Sequence, residues 1–328
     1  MRWLRRYLWT PYAAFCRLIP LIPLHVVSTT VAPGVIRLSP ENWFIRLLGR
    51  IGGYPYAVLY VVDDEVLIDT GFGWARKALG KYLTDSGLAT SIETIVITHE
   101  HEDHFANAAV FSRLAGATVL AHPAAHADIS HPSDARWYRS FLFGPHDPAT
   151  VQIAPAAVET SHRTLSLLHT PGHTPGHLVA LDREQGLLLA GDLFLDAELD
   201  SQLADADGPT WLRTLEEIAT LDIQILADGH GTLLTGDEAQ QALRRKSDFL
   251  RELRDAINAQ LAAGPTSIQQ ITKSISAPGA INSLSYGEGR MSLLTANDFS
   301  RSNLVQTFVR ELIHQTPRPA ISSPNSQE

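Results

Sequence analysis

The chain is short of cysteine, of basic residues and of long apolar runs, and each shortage closes off a class of protein. Cys16 is the single cysteine in 328 residues. An internal disulfide is therefore excluded, and with it a disulfide-stapled secreted scaffold; a reducing compartment, and so a cytoplasmic location, is the expectation, although one cysteine does not contradict export. Lys and Arg number 26 against 35 Asp and Glu, a formal net charge of −9. Affinity for phosphate backbones comes mostly from Lys and Arg, so a small molecule is the expected partner and a nucleic acid is not. No apolar run approaches the ~20 residues that a membrane-crossing helix needs. What is there is 45% hydrophobic and 19% charged, an ordinary globular composition, long enough for one large domain with an appendage or for two domains.

Residues 1–24 read separately. Arg2, Arg5 and Arg6 precede an apolar stretch that Arg17 interrupts and Pro20 and Pro23 break. Trp3, Leu4, Tyr7 and Leu8 fall at helical spacing between the arginines, which suits three readings: a helix packed on the outside of the domain, peripheral contact with an anionic membrane, or a cleaved signal. The sequence leaves the oligomeric state open.

Beyond this segment, two stretches share one plan. In the first, Tyr56–Val62 and Glu65–Ile68 flank an Asp63-Asp64 turn, a predicted β-hairpin ending in Asp69-Thr70-Gly71. Trp74–Leu83 has apolar residues at helical spacing, and Ile92–Thr98 is a short strand that delivers His99. In the second, His177–Asp182 and Leu187–Ala190 flank Glu184-Gln185-Gly186 and end at Gly191-Asp192. Thr210–Leu221 is helical, and Ile223–Ala227 leads to Asp228-Gly229-His230. Strands buried on both faces and alternating with helices imply sheets covered by helices; two such halves face to face predict an α/β fold, a four-layer αββα sandwich, with a site at the shared edge.

Between the halves, Ala124–Ser161 is rich in His, Pro and aromatics, among them Trp137, Tyr138, Phe141 and Phe143. It reads either as a lid or pocket wall or as an insertion that packs on itself. Asp237–Leu261 is long and amphipathic and ends at Gly264-Pro265, and Ser267–Ser276 and Asp298–His314 also read as helices. The expected division is an N-terminal apolar and basic segment (1–30), a catalytic domain (31–236), a helical C-terminal module (237–314) and a disordered tail (315–328).

The chemistry centres on Thr98-His99-Glu100-His101-Glu102-Asp103-His104, where a strand gives way to an Ala-rich helix. In extended chain, residues two apart point the same way, so His99 and His101 can grip one metal through their imidazoles. As the chain bends into the helix, Asp103 and His104 turn towards a second metal, typically ~3.5–4 Å from the first in two-metal sites. Thr170-Pro171-Gly172-His173, Gly191-Asp192 and Asp228-Gly229-His230 each put a further ligand-type residue at a strand end.

With these motifs the sequence resembles the metallo-β-lactamase superfamily over roughly Pro55–Thr232. The resemblance implies that His99, His101 and His173 bind one metal, that Asp103, His104 and His230 bind the other, and that Asp192 bridges both, as in glyoxalase II-like members. It implies that Asp69 supports the ligand loops from behind. His177 is left out of the metal set as a residue that orients a ligand or caps the loop. His122, His126, His131, His146, His162 and His169 lack ligand spacing and read as surface or core histidines.

The implied function is a binuclear metal-dependent hydrolase that turns a metal-bridging hydroxide on a small acyl substrate such as a thioester or lactone. Asp192 would orient the bridge, and Asp103 would accept a proton as well as bind metal. The implied cofactors are two divalent metal ions, zinc foremost, with iron and manganese suited by the same ligands. Two alternatives use the same fold. One is a nuclease or phosphodiesterase, for which Arg244-Arg245-Lys246 is the one compact basic cluster in the C-terminal module. The other is a mono-iron persulfide dioxygenase, whose relatives lack so long a C-terminal addition.

Overall fold

Residues 22–46, 57–132, 137–198, 202–264, 267–274 and 298–315 are described by the structure, a computed structural model. The first strands are β1 (His25–Ala32) and β2 (Val35–Glu41), paired antiparallel around Pro33-Gly34. Next come β3 (Leu59–Val62), β4 (Val66–Ile68), α1 (Arg76–Asp85), β5 (Thr94–Val96), α2 (Glu102–Phe105), α3 (Ala108–Ala115) and β6 (Thr118–Ala121). The insertion holds α4 (His126–Ser130), α5 (Trp137–Phe143), β7 (Gln152–Ile153) and β8 (Ala157–Glu159). The second half contains β9 (Thr164–His169), β10 (Leu178–Asp182), β11 (Leu187–Leu189), α6 (Gly208–Ile218), β12 (Ile225–Ala227) and β13 (Leu233–Thr235). Helices α7 (Asp237–Ala262), α8 (Ile268–Ser274) and α9 (Arg301–Gln315) follow.

One sheet runs β1-β2-β3-β4-β5-β6-β7 and the other β13-β12-β11-β10-β9-β8. The period of two in a strand explains why both faces are apolar. In β3, Leu59 and Val61 pack towards α1 and α3, whereas Tyr60 and Val62 pack between the sheets against Leu167, Leu178 and Ala180. A third core, around the fully buried Trp211, lies between the second sheet and α6, α7 and α9. Three cores between four layers make the αββα sandwich. The Asp63-Asp64 turn has φ of 52° and 62° and is closed by Glu65 N donating to Val62 O at 3.0 Å, the left-handed pair of central residues of a tight β-turn.

Several expectations change in detail. The boundary expected at residue 30 falls inside β1, whose Val26, Val27, Thr29, Thr30 and Val31 are strand formers ahead of a Pro-Gly turn. The insertion is more than a lid or a self-packed loop, because β7 completes one sheet and β8 the other. Helices α7 and α9 share the core around Trp211 with the second sheet, so they form one hydrophobic unit with it. The expected N-terminal segment through residue 21, and the tail from 316, lie outside the described residues. No helix among the described residues is long and apolar enough to cross a membrane.

The repeated plan places the polar residues. Strands β4 and β5 are parallel and joined through α1; β11 and β12 are parallel and joined through α6. Parallel strands joined by a helix deliver their carboxyl ends to one edge, so Asp69, His99, Asp192 and His230 all emerge there. Cross-links between the halves hold that edge: Val58 N donates to Gly229 O at 2.8 Å, Leu178 N to Thr98 O at 2.8 Å, and Tyr60 Oη to Asp228 O at 2.6 Å.

Candidate metal centre

The seven side chains read from the sequence as ligands meet at this edge in two clusters, His99, His101, His173 and Asp192 in one and Asp103, His104 and His230 in the other. All but His230 are buried, and His230 is nearly so. In the first cluster His101 Nδ1 lies 3.0 Å from both His99 Nε2 and His173 Nε2. In the second, Asp103 Oδ2 lies 3.9 Å from His104 Nε2 and 3.7 Å from His230 Nε2. Asp192 stands between them. Its Oδ2 is 3.4 Å from His173 Nε2 and 3.3 Å from His230 Nε2, and its Oδ1 is 3.3 Å from His104 Nε2.

Surrounding acceptors set which ring nitrogen faces inward. Asp69, buried and acceptor-only when ionised, takes hydrogen bonds from Thr98 N at 2.8 Å and Thr98 Oγ1 at 2.8 Å. Since that hydroxyl proton is committed, Thr98 Oγ1 accepts from His99 Nδ1 at 3.0 Å, and His99 Nε2 is left with a lone pair pointing into the cluster. Asp69 Oδ2 also accepts from His104 Nδ1 at 2.8 Å, which turns His104 Nε2 inward. Asp205 does the same for His101, accepting from Nε2 at 3.0 Å so that Nδ1 faces the cluster.

The donor set fits metal ions. Imidazole lone pairs 3.0 Å apart repel one another, and a cation between them removes that cost. His104 Nε2 and Asp192 Oδ1, 3.3 Å from each other, are buried and make no well-formed hydrogen bond, as suits atoms placed to serve as metal ligands.

Electrostatics divide the rings. Burial holds His99 and His177 well below the ordinary imidazole range and brings His173 down to about 3, so these stay neutral. In His104 burial is outweighed by Asp192 and Asp69, which raise it well above its ordinary value, and in His230 Asp192 overcomes burial to give about 9. A bound cation competes for those protons and releases them.

His177, set aside in the sequence, has a different task. Its Nε2 accepts from the backbone N–H of Asp192 at 3.0 Å, and its Nδ1 pairs with Thr170 Oγ1 at 2.8 Å. With both nitrogens engaged it fixes the Asp192 backbone. Gly229 is a matter of space: a Cβ there would lie 2.6 Å from Asp192 Oδ1 and 2.7 Å from His104 Cε1. Asp205 was missed in the sequence, because it belongs to no motif and sits 104 residues from His101; only its place ahead of the Asp207 cap of α6 marked it.

Asp69→Asn tests the lone-pair argument. Asparagine keeps the shape and tolerates the left-handed backbone at this position, φ 61°. Its amide offers a donor where His104 Nδ1 needs an acceptor, so the fold is expected to persist while metal affinity drops about 10–100-fold. Unchanged affinity in a chelator competition would show that Asp69 does not orient the ligands.

Residues 51–230 match the family model described as the metallo-beta-lactamase superfamily. The acyl-coenzyme A thioesterase MBLAC2 of Homo sapiens is 26% identical over 182 residues, covering 48% of this chain and 64% of that protein. The hydroxyacylglutathione hydrolase of Bartonella henselae is 28% identical over 185 residues, covering 53% and 66%. The chain thus spans slightly less than two thirds of the length of both. Metallo-beta-lactamase domain-containing protein 1 of Rattus norvegicus is 33% identical over 222 residues, covering 64% of this chain and 80% of that protein. A solved structure of a metallo-beta-lactamase family protein from Thermus thermophilus shares the fold, with a TM-score of 0.61 at 22% identity over 87% of this chain and 95% of that one. A family match over more than half of the sequence, borne on the same two-sheet architecture, makes this chain a member of the metallo-beta-lactamase superfamily.

Proposed function

We propose that the chain is a hydrolase that holds two divalent cations, zinc foremost, and cleaves a small acyl substrate such as a thioester. The observation that carries this reading is the position of Asp192, whose two carboxylate oxygens face histidines of both clusters. Cations bound there would supply Lewis acidity and bring the pKa of a bound water down towards neutrality. The protein's share is placement and proton handling. Asp192 joins the two clusters, Asp69 and Asp205 keep three imidazoles turned inward, and Asp103, with its carboxylate at the second cluster, accepts a proton during the attack. The relatives named as a thioesterase and a hydroxyacylglutathione hydrolase support an acyl substrate, and so does the net charge of −9. Of the basic cluster that favoured a nuclease, Lys246 is buried and Arg245 is paired with Glu198 at 2.9 Å.

The test is metal analysis of the purified protein together with a panel of thioester, lactone, phosphodiester and β-lactam substrates. About two metals per chain and thioester cleavage lost on chelation are expected. One iron per chain, or cleavage confined to phosphodiesters, would overturn the reading.

A further inference from the structure

Lys246 is fully buried on α7, in the middle of the core around Trp211. A buried ammonium is costly unless its donors are used, so a lysine where leucine or methionine would pack calls for a reason. Its Nζ donates to Asp196 O at 2.6 Å and lies 4.9 Å from the centre of the Trp211 ring. Trp211 in turn donates its Nε1–H to Leu193 O at 2.9 Å. Leu193 and Asp196 flank Leu195, whose φ of 54° puts a branched residue in the left-handed region. Such a conformation persists only where the surroundings impose it. The strained segment begins one residue after Asp192, the side chain between the two clusters.

Trp211 also reaches the other side of the centre. Its ring meets that of His173 edge-on at 5.5 Å, and the chain at Gly172 presses so close that a Cβ there would overlap Trp211 Cα. Asp207 N donates to Gly172 O at 2.7 Å and Thr214 Oγ1 to Pro171 O at 2.7 Å, so α6 grips the whole His173 loop. Lys246, Trp211 and the loops of His173 and Asp192 therefore form one continuous strut from the C-terminal helix to the metal centre.

We propose that Lys246 is a positioning residue for the metal centre: through Asp196 O and the face of Trp211 it clamps the segment after Asp192 and fixes the carboxylate between the two clusters. The inference rests on the binuclear reading above. It gives α7 a part in the chemistry although α7 contributes no ligand, and it explains one member of the Arg244-Arg245-Lys246 cluster as an internal tie.

Lys246→Met keeps an unbranched apolar stem of similar length and removes the ammonium. Zinc affinity, read by competition with a chromophoric chelator, is expected to fall about 10–100-fold. On the thioester, kcat is expected to fall while KM stays within about twofold, as for a group that orders the reacting centre without touching substrate. Trp211→Phe, which keeps a ring face and loses the donor to Leu193 O, is expected to shift zinc affinity in the same direction. Arg244→Ala, exposed on the same helix, is expected to change neither quantity. A folded Lys246→Met protein with parental zinc affinity and kcat overturns the proposal; if that variant does not fold, parental zinc affinity in Trp211→Phe overturns it. An unsubstituted protein that binds no zinc would instead sink the binuclear reading itself, so the two failures are distinguishable.

Discussion

Asp192→Asn is expected to lower turnover about 10³-fold while leaving the fold intact, because Lewis-acid stabilisation by a bound cation is worth several kcal/mol and each 1.36 kcal/mol is a factor of ten. The substitution preserves shape, and the hydrogen bond that anchors this residue to His177 comes from its backbone N–H, not its side chain. What changes is charge and polarity. One carboxylate oxygen becomes an amide nitrogen whose protons would point at a cation, and the group facing His173, His230 and His104 loses its negative charge. Steady-state turnover with metal content measured on the same sample decides the matter. Turnover within tenfold of the parent at full metal content would mean that Asp192 does not join the clusters, and the binuclear mechanism would fall with it.

Arg163→Ala is expected to destabilise the protein by about 3–5 kcal/mol, the usual cost of stripping the partner from a buried charge. The guanidinium donates to Asp63 Oδ2 at 2.7 Å, Asp63 Oδ1 at 2.8 Å, Asp182 Oδ2 at 3.0 Å and Pro33 O at 2.8 Å. The side chains of Asp63 and Asp182 are 1% and 2% exposed, so the loss of Arg163 leaves two carboxylates with little access to water. Asp63 lies at the β3–β4 turn and Asp182 at the end of β10, so this arginine ties the two sheets at the end away from the candidate metal centre. Arg163 outweighs the burial of Asp63 and lowers that carboxyl below its ordinary value. A depressed acid contributes stability that is present above its unfolded pKa and lost as pH falls through the folded one. Denaturant unfolding of the parent should accordingly weaken on acidification below about pH 4, while Arg163→Ala should lose that part of the pH dependence. An alanine variant as stable as the parent at neutral pH would show that water already compensates these carboxylates.

Parts of this architecture were legible because they rest on local pattern. Short unbroken apolar runs such as Leu59–Val62 and Leu178–Leu181, rich in β-favouring residues and ended by polar turns, mark buried strands from local sequence alone. His99, His101, Asp103 and His104 were legible as a group because strand and helix geometry alone bring them close. β1 and β2 stand ahead of the repeated strand-helix-strand plan and carry no motif, and the expected boundary at residue 30 cuts β1 because the arginine- and aromatic-rich segment before it has no sharp end in the sequence. Asp205 and Lys246 gave no pointer to the site: one stands only ahead of a helix cap and the other is one of three successive basic residues on an amphipathic helix, and both look like surface residues until the partner is known.

What the sequence determined by itself, then, was which side chains have the chemistry of cation ligands and that they stand where strands end or a helix begins, because ligand chemistry and strand and helix direction are local properties. Tertiary structure decided the rest. It set the 3.0 Å convergence of His99, His101 and His173, kept His177 on the Asp192 backbone, and brought Asp205 to His101 across 104 positions. It also buried Lys246 behind Trp211. Such pairings depend on where two sheets and their covering helices pack, and packing is a property of the whole chain that no local spacing records.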